Sequence, residues 1–326
     1  MEKTTKEKIL EYLKTKDTAT INELANFLTI SHQTIHLHLK NLLEKNLIIK
    51  RGVAPKVFYS INKELPAKET KISIPEETAK IIEENFLLIE PNGSKKLGIP
   101  AFVIWCEKRN FNVEQKAQEY IDLYRKYNKL KQQGLLDGKQ KMKNSFKAVC
   151  LDDIFYIDFY AWEIFGKTKL GQLLLYAKQS QDKKIMNELI DTVKPQIIVL
   201  LQRENIEAIG FIPPTVKRET QFMKVLEKRL NLNLPTLSIV KIKTEITVPQ
   251  KTLSKIEDRI ENAETSIIVD EKRRGFKKIL LVDDAVGSGA TLNSVACKIK
   301  KNGIADSVIG LAITGSLKGF DIISEI

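Results

Sequence analysis

Cysteine, histidine and tryptophan are scarce: three, three and two residues in a chain of 326. Cys106, Cys150 and Cys297 lie too far apart in sequence for a zinc knuckle, and an odd count suits a reducing cytoplasm. No apolar run reaches membrane-spanning length, and the amino terminus has no apolar signal core. These absences point to a cytoplasmic protein with no membrane partner. Acid is also in deficit, with 53 Lys and Arg against 41 Asp and Glu, a net charge of +12. Such a balance suits polyanionic partners, whether nucleic acid or phosphorylated ligands. A chain of this length should hold two or three domains.

Residues 1–62 read as a compact helical module closed by a hairpin. Thr4-x-x-Glu7 is a capping box opening a helix that buries Ile9, Leu10 and Leu13. Thr20-x-x-Glu23 is a second box, with Ile21, Leu24, Ala25 and Leu28 inward. Thr29-Ile30 turns the chain, and Ser31 caps a third helix with Ile35, Leu39, Leu42 and Leu43 on its apolar face. Two strand-like runs, 47–52 and 57–61, flank a basic Gly/Pro loop. Between residues 31 and 60, Lys40, Lys45, Lys50, Arg51 and Lys56 stand against Glu44 alone, a net of +4. Charge on the third helix and the hairpin is what phosphate contacts require.

The segment resembles the winged helix-turn-helix domains of bacterial and archaeal regulators. That resemblance implies double-stranded DNA as partner and, commonly, a homodimer. Ser31, His32, Gln33, Thr34 and His36 are then expected to face the major groove, with Lys40, Arg51 and Lys56 on phosphates. His32 and His36 are one helical turn apart, which is metal-ligand spacing, but no nearby acid or cysteine supplies a third ligand. Contacts to DNA are the simpler account, and no metal site is assigned.

Residues 63–75 form a polar, proline-marked connector. From 76 to 165 the pattern is mainly helical and reads as a connecting domain without a catalytic constellation. Residues 125–147 carry eight basic side chains and one acid, either an extension of a DNA footprint or a solvated face. The aromatic cluster from Phe155 to Phe165 reads as core. From 166 to 326 strands and helices alternate as in an α/β domain with a parallel sheet. Pro195 opens a helical run, and 207–212 and 236–242 read as strands.

The most informative stretch is 277–292. Ile279 to Val282 suits a strand buried on both faces of a parallel sheet. Asp283 and Asp284 cannot be buried unpaired, so the strand should end there, at the sheet's carboxyl edge. Gly287 and Gly289 bracket Ser288 in a turn that aims backbone N–H groups inward, and a helix starts at Ala290. A Rossmann fingerprint wants a third glycine and a P-loop wants Gly-Lys-Ser/Thr; both are missing. Strand, acid pair, glycine turn and helix N-terminus make a phosphate cradle with carboxylates placed for hydroxyls beside it.

Val282-Asp283-Asp284 through Gly289-Ala290-Thr291-Leu292 resembles the 5-phosphoribosyl-1-pyrophosphate (PRPP) loop of type I phosphoribosyltransferases, with Gly287-Ser288 where Thr-Thr is common. Pro249-Gln250, Leu253-Ser254 and Arg259-x-x-Asn262 are similar to the competence-protein F branch of that superfamily. The branch's longer basic loop after the first strand is here reduced to Lys217-Arg218. The resemblance implies the phosphoribosyltransferase fold and PRPP or a nucleotide as ligand. Asp283 and Asp284 would serve as catalytic carboxylates on the ribose hydroxyls, and Asp283, Asp284, Ala285, Val286, Gly287, Ser288, Gly289, Ala290 and Thr291 as the PRPP-binding loop. Lys217 and Arg218, with Mg²⁺, would take the pyrophosphate, and residues 243–254 would close as a lid. A winged helix joined to such a domain is similar to the purine-operon repressors. Two functions follow: a DNA-binding transcription regulator that senses PRPP or a nucleotide, or an active Mg²⁺-dependent phosphoribosyltransferase of nucleotide metabolism.

Overall fold

Capping decides where the first helices begin. A computed structural model describes residues 3–62, 73–216, 218–242, 245–246 and 248–316 and separates two units, Met1–Ile72 and Ser73–Ile326. In the first, α1 (Thr5–Lys16) and α2 (Ile21–Leu28) open on closed capping boxes. Thr4 N–H donates to Glu7 at 2.8 Å and Thr20 N–H to Glu23 at 2.6 Å, while each hydroxyl accepts from its glutamate's N–H. Satisfying these orphan donors is worth about 1 kcal/mol per cap. Thr29 turns left-handed at φ 55°, and Ser31 caps α3 (His32–Glu44) by accepting from Thr34 N–H at 3.2 Å. The hairpin β1 (Ile48–Val53) and β2 (Lys56–Ile61) is held to Ala19 by two backbone hydrogen bonds, one donated by Tyr59 N–H and one accepted by Tyr59 O. Gly52 closes it at φ +86°, where a Cβ would meet Lys56 O at 2.2 Å. Ile9, Leu13, Leu24, Ile35, Leu39, Leu42 and Ile48 fill one core.

The second unit opens with α4 (Glu76–Asn85), the ribbon β3 (Leu87–Ile89) and β4 (Lys95–Leu97), α5 (Gly98–Glu107) and α6 (Val113–Asn128). Then come β5 (Lys131–Gln132), β6 (Leu135–Asp137), α7 (Lys139–Ser145), β7 (Asp153–Phe159), and the short β8 (Ala161–Trp162) and β9 (Gly166–Lys167). They are followed by α8 (Lys169–Gln179), α9 (Lys183–Arg203), β10 (Ala208–Phe211), α10 (Phe222–Leu230) and β11 (Ile239–Lys241). The last described elements are α11 (Ile256–Ser266), β12 (Ile267–Val269), β13 (Phe276–Val286), α12 (Ala290–Lys301) and β14 (Ala305–Gly315). Six strands form one sheet in the order β10-β13-β14-β7-β6-β5, with the first four parallel.

Both faces of that sheet are covered, as the branched run in β13 requires. Ile279 and Leu281 pack into one layer with α5, α6 and α12; Leu280 and Val282 pack into the other with α8, α9 and α10. All four are fully buried, each contributing about 1.5–3 kcal/mol by removal from water. The helix after β10 belongs to the second layer and the helix after β13 to the first. Neighbouring parallel strands whose connections leave to opposite faces open a crevice between their carboxyl ends.

Several sequence expectations need correcting. Residues 76–165 are not a separate helical domain: β5, β6 and β7 belong to the main sheet, and β7 pairs with β14 from Asp153 to Phe159. The aromatic run there is core, as expected, but by being strand: Tyr156 is 3% exposed and Phe159 2%. Pro195 does not start a helix. It lies inside the 21-residue α9, because the apolar stripe Leu189, Val193, Ile197, Leu200 continues through it. The strand expected at 236–242 is outside the main sheet except for a bridge at Thr236, and β11 pairs with β12 instead. Asp283 does not end its strand, since β13 runs on beside β14 to Val286. Cys150 and Cys297 are disulfide-bonded with Cα atoms 5.0 Å apart, leaving Cys106 free and buried. Sequence distance carried no information about that contact, because α12 packs beside the segment before β7. Among the described residues no helix is long and apolar enough to cross a membrane.

Candidate functional site

Strand β10 stops early, and that creates the site. Its last pairing is Phe211 with Val282, so from Asp283 onward β13 has β14 on one side and open space on the other. The space is a cavity of about 280 Å³. Its walls come from the chain after β10 (Ile212 to Val216), the end of α8, the β11 ribbon, residues 249–250, Arg259 of α11 and the whole turn Asp283 to Thr291. Thus the stretch 283–291 singled out in the sequence is gathered at one cavity, at the sheet's carboxyl edge. Gly289 takes φ +79° as the residue before α12, and the buried Ser288 hydroxyl accepts from Ala290 N–H at 3.3 Å. A helix N-terminus left open in this way favours anionic oxygen.

Pleating sends the two acids to opposite faces, and Asp284 meets a cation there. Asp284 follows Leu280 and Val282 toward the α8 layer, where Lys178 Nζ approaches its two oxygens at 2.9 and 2.8 Å. Asp283 follows Ile279 and Leu281 toward the layer holding the β11 ribbon. Burial, and then the charge of Asp284, push its carboxyl up to about 7, moderated by a hydrogen bond from Asp284 N–H at 2.8 Å and by Lys178 and Lys241. Lys241 Nζ donates to Thr215 Oγ1 at 2.9 Å, and burial lowers its pKa from the ordinary lysine value.

Arg218 lines the cavity, its guanidinium reaching Gln179 Oε1 at 3.5 Å; its expected companion Lys217 lies outside the described residues. Lys178, Lys241 and Arg259 were not assigned to the site from sequence. Arg259 did carry a signal. It occupies the apolar stripe Ile256, Ile260, Ala263 of α11, a place where an arginine must have a partner. It is 6% exposed, and its Nε donates to Leu253 O at 2.8 Å. Gln250 reaches Arg259 O at 3.0 Å and Asn262 at 3.3 Å, so the Pro-Gln and Arg-x-x-Asn motifs brace one another on the cavity wall. Of the expected lid, residues 243, 244 and 247 lie outside the described residues, and Pro249 and Gln250 line the cavity.

Both oxygens of Asp284 already face an ammonium, so a divalent ion beside it would share that carboxylate with Lys178.

In the amino-terminal unit, Ser31, His32, Gln33, Thr34, His36 and Lys40 are all exposed on or just before α3, and Arg51 and Lys56 are exposed on the hairpin. Ser31 and Thr34 are partly occupied with each other, their hydroxyls 2.9 Å apart. Leu37, unassigned from sequence, is 68% exposed on the same helix, a side chain suited to a thymine methyl. The basic run 125–147 does not form one stripe: Arg125, Lys131 and Lys139 pair with Glu77, Asp158 and Asp153.

No curated protein matches the chain. Among solved structures, a crystal structure of a hypoxanthine phosphoribosyltransferase from Staphylococcus aureus is similar over 40% of this chain, at 15% identity and a TM-score of 0.25. The chain spans 65% of that enzyme's length. The architecture described above rests on strand order and packing, not on that likeness. Residues 3–49 match the family described as winged helix-turn-helix DNA-binding, and the amino-terminal unit is a winged helix of that kind.

Proposed function

We propose that this chain is a DNA-binding transcription regulator whose α/β unit is a receptor for a phosphoribosyl ligand, PRPP or a nucleotide. The observation that carries the reading is the turn Asp283–Thr291 opening α12 at the switch point between β10 and β13, with an acid pair beside it. In this reading the phosphate sits on the N–H groups at the start of α12, and the sugar hydroxyls donate to Asp283 and Asp284. The exposed polar start of α3 enters the major groove, while Lys40, Arg51 and Lys56 meet phosphates. A homodimer would present two such helices to half-sites one helical turn apart.

Ligand changes operator binding only to the extent that its affinity differs between the DNA-bound and free protein, and the coupling is reciprocal. The deciding experiment is a PRPP titration by calorimetry with and without a DNA fragment selected from a genomic pool by gel shift. Saturable binding whose affinity shifts when DNA is present supports the regulator; an unchanged affinity removes the sensing role. Release of pyrophosphate from PRPP with any free base would instead make the chain a working transferase.

A further inference from the structure

A sugar carrying pyrophosphate brings several negative charges, and the usual way to meet them is Mg²⁺, which keeps most of its waters and bridges phosphate and carboxylate oxygens. This cavity is furnished differently. Among its described lining residues the charged groups are Lys178, Arg218, Lys241 and Arg259 against Asp283 and Asp284. Lys178 is matched by Asp284 at 2.8 Å. The hydrogen bonds of the other three go to neutral groups, Lys241 to a hydroxyl, Arg259 to a carbonyl and Arg218 to an amide oxygen, while the charge of Asp283 acts on Lys241 without a direct hydrogen bond. Burial lowers the pKa of both Lys241 and Arg259, an effect that Asp283 partly offsets at Lys241. Lys241 and Arg259 come from the ribbon and α11, Lys178 from α8 and Arg218 from the chain after β10, so positive charge surrounds the crevice from three sides. A dication placed beside Asp284 would share that carboxylate with the Lys178 ammonium and be repelled by it.

We propose that the phosphoribosyl ligand binds here without a divalent cation, its pyrophosphate neutralised by Lys178, Arg218, Lys241 and Arg259 in place of Mg²⁺. The proposal rests on the phosphoribosyl reading of the site. Lys178 keeps Asp284 aligned for a sugar hydroxyl while offering its remaining N–H to the ligand.

Calorimetry with the full chain and PRPP, once in EDTA and once in magnesium chloride, tests this directly. The dissociation constants should agree to within about twofold, and a loss of about tenfold or more in EDTA overturns the proposal. No binding in either buffer refutes instead the phosphoribosyl reading beneath it. Lys178→Gln should weaken binding in EDTA by about tenfold or more, the cost of one charge-assisted contact, with magnesium restoring part of the loss now that Asp284 is free. Lys178→Arg, which preserves the charge, should bind without metal and guards against a folding artefact. Wild-type affinity of Lys178→Gln in EDTA would remove Lys178 from the assignment.

Discussion

Asp283 should make the α/β unit less stable than it need be, and by an amount that depends on pH. Its carboxyl is pushed up to about 7 by burial and by the neighbouring charge of Asp284, whereas in the unfolded chain it titrates near the ordinary aspartate value of 3.8. The folded state therefore keeps a proton that the unfolded chain gives up as pH rises above about 4. Stability falls with pH across the window from about 4 to about 7 and levels off above it. At about 1.4 kcal/mol per pH unit the penalty is on the order of a few kcal/mol, and part of it accrues between about pH 5.5 and about pH 8.

Asp283→Asn removes the charge while keeping an oxygen to accept from Asp284 N–H. It should stabilise the unit at about pH 8, on the order of a few kcal/mol, and measurably less at about pH 5.5. Denaturant unfolding followed by tryptophan fluorescence suits the question, because Trp105 and Trp162 both lie in this unit and report on it alone. The same substitution should cost ligand affinity, the usual trade between stability and a functional site. Equal stability of variant and wild type at the higher pH, or a gain identical at both, would refute the account of Asp283.

Three further expectations follow from other parts of the molecule. Asn293 on α12 is 5% exposed; it accepts from Cys150 N–H at 2.8 Å and Leu151 N–H at 3.4 Å and donates to Ala148 O at 2.9 Å. Asn293→Leu strands those groups and should lower unfolding free energy by about 3 kcal/mol in the same fluorescence assay, with a change under about 1 kcal/mol contradicting the role given to it. The Cys150–Cys297 bond closes a sequence separation of 147, so loop entropy gives it up to about 5 kcal/mol. Reductant should lower the denaturation midpoint, and Cys297→Ser should match reduced wild type; insensitivity to reductant would show the bond does not form in solution. Arg51→Ala should weaken DNA binding and make the logarithmic salt slope shallower by about 0.9, as loss of one phosphate contact requires. An unchanged slope would take the hairpin off the phosphates.

Local rules made much of this chain legible from sequence. The two capping boxes, the Ser31 cap and the heptad-like apolar stripes fixed the first three helices, because N–H satisfaction and side-chain periodicity act within a few residues. The run Ile279–Val282, the acid pair and the glycine turn likewise placed one strand, one edge and one helix start, since branched apolar residues, adjacent carboxylates and positive φ each admit few environments. Tertiary structure alone decided the rest. That β7 joins the sheet depends on β14 having a free edge, and that Asp283 faces open space depends on β10 ending at Phe211. The approach of Lys178 to Asp284, across 106 residues, and the meeting of Cys150 with Cys297 follow from how layers stack on the sheet. No short-range rule encodes such contacts, because the energy that sets them is the packing of whole faces, to which any single residue contributes little.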